Sequence, residues 1–121
     1  MPVTSSHIII ADDEDLVATS LAILLRDLGH RVTVTHDGRE ALDADEADPA
    51  NLLITDVQMP GMDGLTLVRM IQDRRPEIPA IVITGYGNTV PVNKIKPLII
   101  LQKPIHDDAM ALAVATFLSS S

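Results

Sequence analysis

The sequence contains no cysteine and no tryptophan, and only one phenylalanine and one tyrosine. The absence of cysteine excludes disulfides, thiolate metal sites and cysteine nucleophiles, and it is compatible with a reducing cytoplasm. Because aromatic side chains are so scarce, the core must be aliphatic. Their scarcity also disfavours the nucleic-acid readers that stack bases on aromatic platforms.

Positive charge and long apolar runs are scarce as well. Nine basic residues stand against seventeen acidic ones, which gives a net charge of −8, and an acidic domain repels phosphate backbones. No apolar stretch approaches the roughly 20 residues of a membrane span, and residues 1–6 lack the charged and apolar regions of a signal peptide. We therefore expect a soluble, cytoplasmic domain that binds neither nucleic acid nor membranes directly.

Strand-like and helix-like patterns alternate along the 121 residues, and a hydrophobic content of 46% suffices for one core. The predicted strands are residues 7–11, 31–35 (an edge strand), 52–55, 80–83 and 98–101. The predicted helices are residues 16–28, 39–47, 65–75 and 107–118. Asp15 is the expected N-cap of the first helix, and Gly29 ends it. Alternating units of this length predict an α/β fold, with a five-stranded parallel sheet between two layers of helices.

Polar side chains follow four of these strands at the point where each one ends. Asp12 and Asp13 follow the first strand, Asp56 the third, Thr84 the fourth and Lys103 the fifth. In open parallel sheets, ligands bind outside the carboxyl ends of the strands. We therefore predict that these side chains meet at one edge of the sheet.

The group is suited to phosphoryl chemistry. The Asp56 carboxylate can attack a phosphoryl group and carry it as an acyl phosphate, but an anion must then approach an anionic phosphorus centre. Mg²⁺ relieves that repulsion, and it typically takes one or two carboxylates, here Asp12 and Asp13. Lys103 adds a second positive charge, and the Thr84 hydroxyl adds a neutral donor.

Each residue also has a plainer interpretation. An Asp after a strand is commonly a turn residue, and the pair Asp12-Asp13 favours the start of a helix. Thr84 before Gly85 is an ordinary strand end, although Gly85 also leaves room for a phosphodonor. The coincidence of complementary groups at four strand ends favours a functional site over four separate structural roles.

The chain resembles the receiver domain of two-component response regulators over residues 6–118, with residues 1–5 and 119–121 as flexible tails. The stretches that carry the resemblance are IIIADDEDLV, LLITDVQMPGMDGLTLVRMI, IVITGYG and LQKPI, in the family's order and spacing. The resemblance implies a flavodoxin-like sheet with strand order 2-1-3-4-5. It also implies that Asp56 is the phosphoacceptor. The implied Mg²⁺ ligands are Asp12, Asp13, Asp56 and the backbone carbonyl of Gln58.

Further roles follow from the same resemblance. Thr84 would move to contact the phosphoryl group and Lys103 would pair with it, while Gln58 and Tyr86 would influence autodephosphorylation. Receivers usually have a cis bond before the proline that matches Pro104, and X-Pro is the linkage at which cis is accessible.

The implied function is that of a phosphoacceptor in a two-component phosphorelay rather than an enzyme. A histidine kinase or phosphotransfer protein would donate a phosphoryl group to Asp56, and the helix that begins near Glu14 would face that kinase. Phosphorylation would shift the domain towards a conformation that regulates a partner or an attached output. Catalysis would be limited to autophosphorylation from small donors and autodephosphorylation.

Two departures from the family's pattern concern the switch. Ile100 occupies the position where receivers commonly have Phe or Tyr, so aromatic switching cannot operate in its usual form. Residues 88–97 are fewer than in other receivers and include Pro91 and Pro97. Proline inside a helix costs about 3 kcal/mol or more, so we expect the family's fourth helix to be shortened, irregular or missing. We also expect residues 85–97 to be the least ordered internal segment.

Three other functions compete with this one. A phosphatase of the haloacid dehalogenase type also uses an Asp nucleophile with Mg²⁺, but it needs a second Asp where this chain has Gln58. A flavin-binding domain would need a Ser/Thr/Gly-rich phosphate loop after the first strand, and the sequence has none there. A phosphorylation-independent interaction module stays open because of Ile100 and residues 88–97.

Overall fold

The computed structural model describes residues 6–85 and 98–118, and the structural statements below refer to these residues. The strands are β1 (His7–Ala11), β2 (Arg31–Thr35), β3 (Leu52–Asp56), β4 (Ala80–Thr84) and β5 (Leu98–Gln102). The helices of the described part are α1 (Asp15–Asp27), α2 (Gly38–Ala47), α3 (Gly64–Arg74) and α4 (Asp107–Leu118). The predictions for the two tails, for Tyr86 and for the family's fourth helix at residues 88–97 lie outside the described residues. So does the prediction of low order for residues 85–97, except at Gly85.

The five strands form one parallel sheet in the order β2-β1-β3-β4-β5. This order confirms the predicted flavodoxin-like architecture. The interior strands β1, β3 and β4 are buried along their whole length, whereas the edge strands β2 and β5 are partly exposed. Buried parallel strands need apolar side chains on both faces, which explains the continuous apolar runs in the sequence.

The core lies in two layers, one on each side of the sheet. Alternate residues of a strand point to opposite faces, so Ile9 and Leu53 pack against α2 and α3, and Ile8 and Ile54 pack against α1 and α4. With both faces covered by aliphatic side chains, a charged group of an interior strand can reach solvent only at the strand's end. The packing therefore confines polar chemistry to the edges of the sheet.

The N-terminus of α1 differs from the prediction, whereas its C-terminus agrees with it. Asp15 was expected to cap α1, which is wrong, because Glu14 holds the N-cap position and Asp15 is the first helical residue. The Asp12 carboxylate accepts a hydrogen bond from the Glu14 backbone N–H at 2.9 Å, and this turn brings the chain into the helix one residue early. The predicted C-terminal stop is confirmed, since Gly29 has φ +98°, a left-handed conformation that favours glycine.

Three strands run one residue further than predicted, and each extension carries a polar residue. Asp56, Thr84 and Gln102 are the last residues of β3, β4 and β5, respectively. Asp56 is in register with Ile83, and Thr84 with Gln102. The parallel ladder therefore fixes the backbone of the candidate phosphoacceptor, which a flexible loop would not do.

Candidate functional site

The carboxyl ends of the strands are joined by backbone hydrogen bonds just beyond the sheet. Asp12 N–H donates to the Thr35 carbonyl at 3.0 Å, Val57 N–H to Ile83 at 2.9 Å, and Lys103 N–H to Thr84 at 2.9 Å. Each bond extends the ladder by one position and holds the start of the following loop. The four groups of polar side chains therefore emerge from a rigid edge.

Asp56 lies at the bottom of a cleft of about 460 Å³ at this edge. The residue is only 4% exposed. Its Oδ1 accepts a hydrogen bond from the Gln58 backbone N–H at 3.2 Å, and its Oδ2 accepts one from Lys103 Nζ at 3.0 Å. Asp13 and Gly85 line the same cleft. A buried carboxylate that has a cationic partner and opens to a cleft can receive an anionic group from the solvent.

Asp12, Asp13 and Asp56 bring one carboxylate oxygen each within 4.8 Å of one another. Asp12 is fully buried, and its Oδ2 has no hydrogen-bond partner within residues 6–85 and 98–118. Burial raises the pKa of Asp12 to about 6, and the nearby charge of Asp56 also raises it. An unpartnered buried oxygen beside two more carboxylates is a donor set that suits a hard divalent cation such as Mg²⁺.

Lys103 supplies a positive charge in the cleft. Its ammonium donates to Glu14 Oε1 at 2.7 Å and to Asp56 Oδ2 at 3.0 Å. Burial lowers the pKa of Lys103, but the hydrogen bonds to these two carboxylates outweigh burial and hold the pKa above its ordinary value. The side chain therefore stays charged at neutral pH and neutralises part of the acidic cluster.

Thr84 lies beside the cleft with its hydroxyl turned to a neighbouring carbonyl. The residue is 4% exposed, and Oγ1 donates to the Gly85 carbonyl in a long hydrogen bond of 3.3 Å. The structure therefore brings Asp12, Asp13, Asp56, Gln58, Gly85 and Lys103 together, with Thr84 buried at the adjacent strand end. Among residues 6–85 and 98–118, this long bond is the one that the Thr84 hydroxyl would exchange for another acceptor.

Among the residues expected to act in the switch or to tune it, Gln58 and Gly85 line the cleft, whereas Ile100 and Pro104 lie in β5 and the loop that follows it. Ile100 is half-buried in β5, in register with Val82 of β4. The Lys103–Pro104 peptide is cis, which confirms the expectation at Pro104.

Two residues near the site were not singled out from the sequence. Glu14 binds Lys103, although the two are 89 positions apart in the chain. Gly64 begins α3 directly against Asp56, where an added Cβ would lie 1.9 Å from the Asp56 carbonyl oxygen. The second contact had a sequence signal, because the Asp63-Gly64 pair is a typical helix start and follows the Pro/Gly-rich loop. Glu14 had only its position next to the Asp12-Asp13 pair.

Comparisons with known proteins agree with this geometry. The family model of the response regulator receiver domain matches residues 8–115. The transcriptional regulatory protein FixJ of Bradyrhizobium diazoefficiens is 31% identical over 114 residues, which cover 92% of this chain and 56% of FixJ. FixJ of Rhizobium meliloti is 38% identical over 109 residues, covering 87% of this chain and 53% of that protein. The chain thus spans a little more than half the length of these relatives.

Solved structures give the same result. The receiver domain of the hybrid histidine kinase CckA superposes with a TM-score of 0.81 at 35% identity, covering 93% of this chain and 99% of that one. The receiver domain of NtrX from Brucella abortus gives a TM-score of 0.82 at 27% identity, covering 94% and 99%. Among the described residues, no helix has the length and apolar character to cross a membrane. Fold, strand order and family match coincide over nearly the whole chain, which belongs to the receiver domain family of two-component response regulators.

Proposed function

We propose that this chain accepts a phosphoryl group on Asp56 from a phosphohistidine of a sensor kinase or phosphotransfer protein, as part of a two-component phosphorelay. The observation that carries the proposal is the state of Asp56. It is a buried carboxylate that opens into a cleft between an acidic pair and the Lys103 ammonium. The unit proposed to perform this role is residues 6–118.

The transfer step exchanges one phosphorus bond for another. A carboxylate oxygen of Asp56 attacks phosphorus, the bond between phosphorus and the donor's imidazole nitrogen breaks, and its electron pair returns to the imidazole. The hydrogen bond from Gln58 N–H and the β3 ladder orient Asp56 for this attack. Lys103 offers its ammonium to the charge that accumulates on the phosphoryl oxygens.

Mg²⁺ fits the acidic cluster because the buried Oδ2 of Asp12 has no hydrogen-bond partner in the described part of the chain, and a cation would provide one. Asp12, Asp13, Asp56 and the backbone carbonyl of Gln58 are the proposed ligands. When bound, the ion supplies the positive charge that an anionic nucleophile and an anionic phosphoryl group need in order to approach each other.

Phosphorylation then shifts the domain towards a different conformation. We propose that the Thr84 hydroxyl leaves the Gly85 carbonyl and donates to a phosphoryl oxygen, and that Lys103 donates to another. Ile100 is the β5 residue that would respond, with a smaller change of shape than an aromatic ring gives. Gln58 and Tyr86 would set the rate at which water removes the phosphoryl group.

The test is incubation with acetyl phosphate and Mg²⁺, followed by intact-mass measurement of wild type and Asp56→Asn. We expect one phosphoryl adduct on the wild type and none on the variant. No adduct on a wild type that binds Mg²⁺ would favour the phosphorylation-independent interaction module, for which Ile100 is the supporting observation. Multiple turnover of an aryl phosphate would instead favour the Asp-nucleophile phosphatase.

A further inference from the structure

The Lys103 ammonium is shared between the floor and the rim of the cleft. Its bond to Glu14 Oε1 is 2.7 Å and its bond to Asp56 Oδ2 is 3.0 Å. The Asp56 side chain is 6% exposed, that of Lys103 29% and that of Glu14 57%. The shorter bond therefore draws the ammonium outwards, towards a carboxylate that faces solvent at the cleft entrance.

Glu14 is fixed in this place by its own backbone. Its N–H donates to Asp12 Oδ1 at 2.9 Å, and its carbonyl accepts from Ala18 N–H at 3.0 Å in the first turn of α1. It holds the N-cap position, where Ser, Thr, Asp or Asn is preferred, and its side chain makes no capping bond in the described part of the chain. The helix start thus gains no capping hydrogen bond from this side chain, which is directed at Lys103.

We infer that Glu14 is a positioning residue that competes with the phosphoryl group for Lys103 and thereby slows phosphorylation of Asp56. This inference rests on the proposed function. A donor that enters the cleft brings anionic oxygens that need the same ammonium donors, and it meets a further carboxylate at the entrance. Of the three N–H donors of Lys103, Glu14 and Asp56 take two among the described residues. The Glu14 bond holds the ammonium towards the entrance, so loss of that bond leaves Lys103 freer to serve the transferring group.

The expected size of the effect follows from the exposure of the pair. A partly exposed ion pair contributes up to about 1 kcal/mol, which corresponds to a rate change of about two- to fivefold. Glu14→Ala removes both the charge and the hydrogen bond. Glu14→Gln removes the charge but keeps an acceptor, so its effect should be smaller. Because Glu14 forms no side-chain cap, both variants should fold as the wild type does.

The matched control is Asp15→Asn. It removes one negative charge at the next position of the same helix, and Asp15 pairs with His36 at 2.8 Å instead of with Lys103. A general effect of lowering the acidic charge would appear in all three variants. An effect of releasing Lys103 would appear only in the two Glu14 variants.

The experiment measures the autophosphorylation rate with acetyl phosphate at saturating Mg²⁺, and the affinity for beryllofluoride as a non-covalent phosphoryl mimic. We expect the rate and the beryllofluoride affinity to rise about two- to fivefold for Glu14→Ala, less for Glu14→Gln, and not for Asp15→Asn. If the wild type is phosphorylated but Glu14→Ala reacts no faster than Asp15→Asn, the inference is wrong and the proposed function stands. A wild type that takes up no phosphoryl group would overturn the proposed function, and the inference with it.

Discussion

At Asp12, the stability of the metal-free protein and the proposed metal chemistry make opposite demands on one carboxylate. It is fully buried, one of its oxygens has no partner in the described residues, and burial raises its pKa from the ordinary 3.8 to about 6. A raised pKa means that the folded state binds the proton more tightly than the unfolded chain does. The folded protein therefore loses stability as the pH rises from about 4 through 6, and at neutral pH it carries the cost of a buried charge.

Replacing that charge should stabilise the metal-free protein. Asp12→Asn keeps the Oδ1 acceptor for the Glu14 N–H and removes the buried charge, so we expect a gain of about 1–3 kcal/mol in the free energy of unfolding at pH 7.5. The measurement is urea unfolding in the presence of EDTA. The gain should shrink at pH 5, where the wild-type carboxyl is protonated, and a gain that is equal at both pH values would contradict this account. Asp13→Asn, at an exposed carboxylate, is the control and should change stability less.

At the scale of elements, the start of α3 packs directly against the backbone of the phosphoacceptor Asp56. Gly64 N–H donates to the Val57 carbonyl at 2.8 Å, and the glycine lies so close to Asp56 that a Cβ would be 1.9 Å from its carbonyl oxygen. Because that neighbour is backbone, no side-chain rotation relieves the contact. The helix and the end of β3 must therefore move together.

Gly64→Ala should consequently reduce both stability and phosphorylation. Forced overpacking costs about 1–3 kcal/mol, and displacement of Asp56 should lower the rate of adduct formation with acetyl phosphate. Gly61→Ala is the matched control, because Gly61 has φ +80° and no described atom lies within 4 Å of its Cβ position. That variant should lose stability through backbone strain alone. Equal phosphorylation rates in the two variants would show that the contact with Asp56 has no role.

A second contact between elements lies at the other end of the strands, where the chain enters β3. Asp45 of α2 is 3% exposed and accepts hydrogen bonds from Arg75, which follows α3, and from the Ala50 N–H at 2.9 Å. Arg75 also donates to the Ala50 carbonyl at 2.6 Å. This pair joins the C-terminal ends of two helices to the segment that leads into β3.

Removal of this pair should affect folding and leave the site intact. We expect Asp45→Ala to cost about 2–4 kcal/mol, because it leaves a buried N–H and a partly buried guanidinium without their acceptor. The phosphorylation rate below the melting temperature should stay within about twofold of wild type, a change worth under half a kcal/mol. Asp43→Ala, at a 71% exposed carboxylate in the same helix, should leave the unfolding free energy nearly unchanged. A large loss of phosphorylation in folded Asp45→Ala would contradict the separation of the two ends of the strands.

These cases show what the sequence could and could not predict about the elements. The apolar runs and their spacing predicted every strand of the sheet, because burial on two faces leaves a clear periodic signal. The exact ends differed by a residue, since hydrogen bonds across the sheet set them at Asp56 and Thr84. The burial of Asp45 could not be predicted, because its partner Arg75 lies 30 positions away and leaves no local pattern.

At the scale of the whole molecule, a net charge of −8 coexists with a sheet edge that concentrates carboxylates. The strand-end groups were predictable as a set, because parallel topology sends every strand end of this kind to one edge. The link between Lys103 and Glu14 was not predictable, since it depends on how β5 and α1 approach each other in three dimensions. We expect this excess of negative charge to make the stability of the domain sensitive to cations.

Mg²⁺ should therefore raise the melting temperature of the wild-type domain. A ligand that binds only the folded state stabilises it by RT ln(1 + [L]/Kd), which is about 1.4 kcal/mol at ten times Kd. Thermal unfolding with millimolar MgCl₂ measures this shift, and NaCl at equal ionic strength is the control for screening of the net charge. We expect MgCl₂ to exceed NaCl in wild type, and we expect the difference to disappear in Asp12→Asn, which loses a proposed ligand. Equal shifts with the two salts in wild type would mean that the acidic edge is screened by cations without binding one, and would remove the metal from the proposed mechanism.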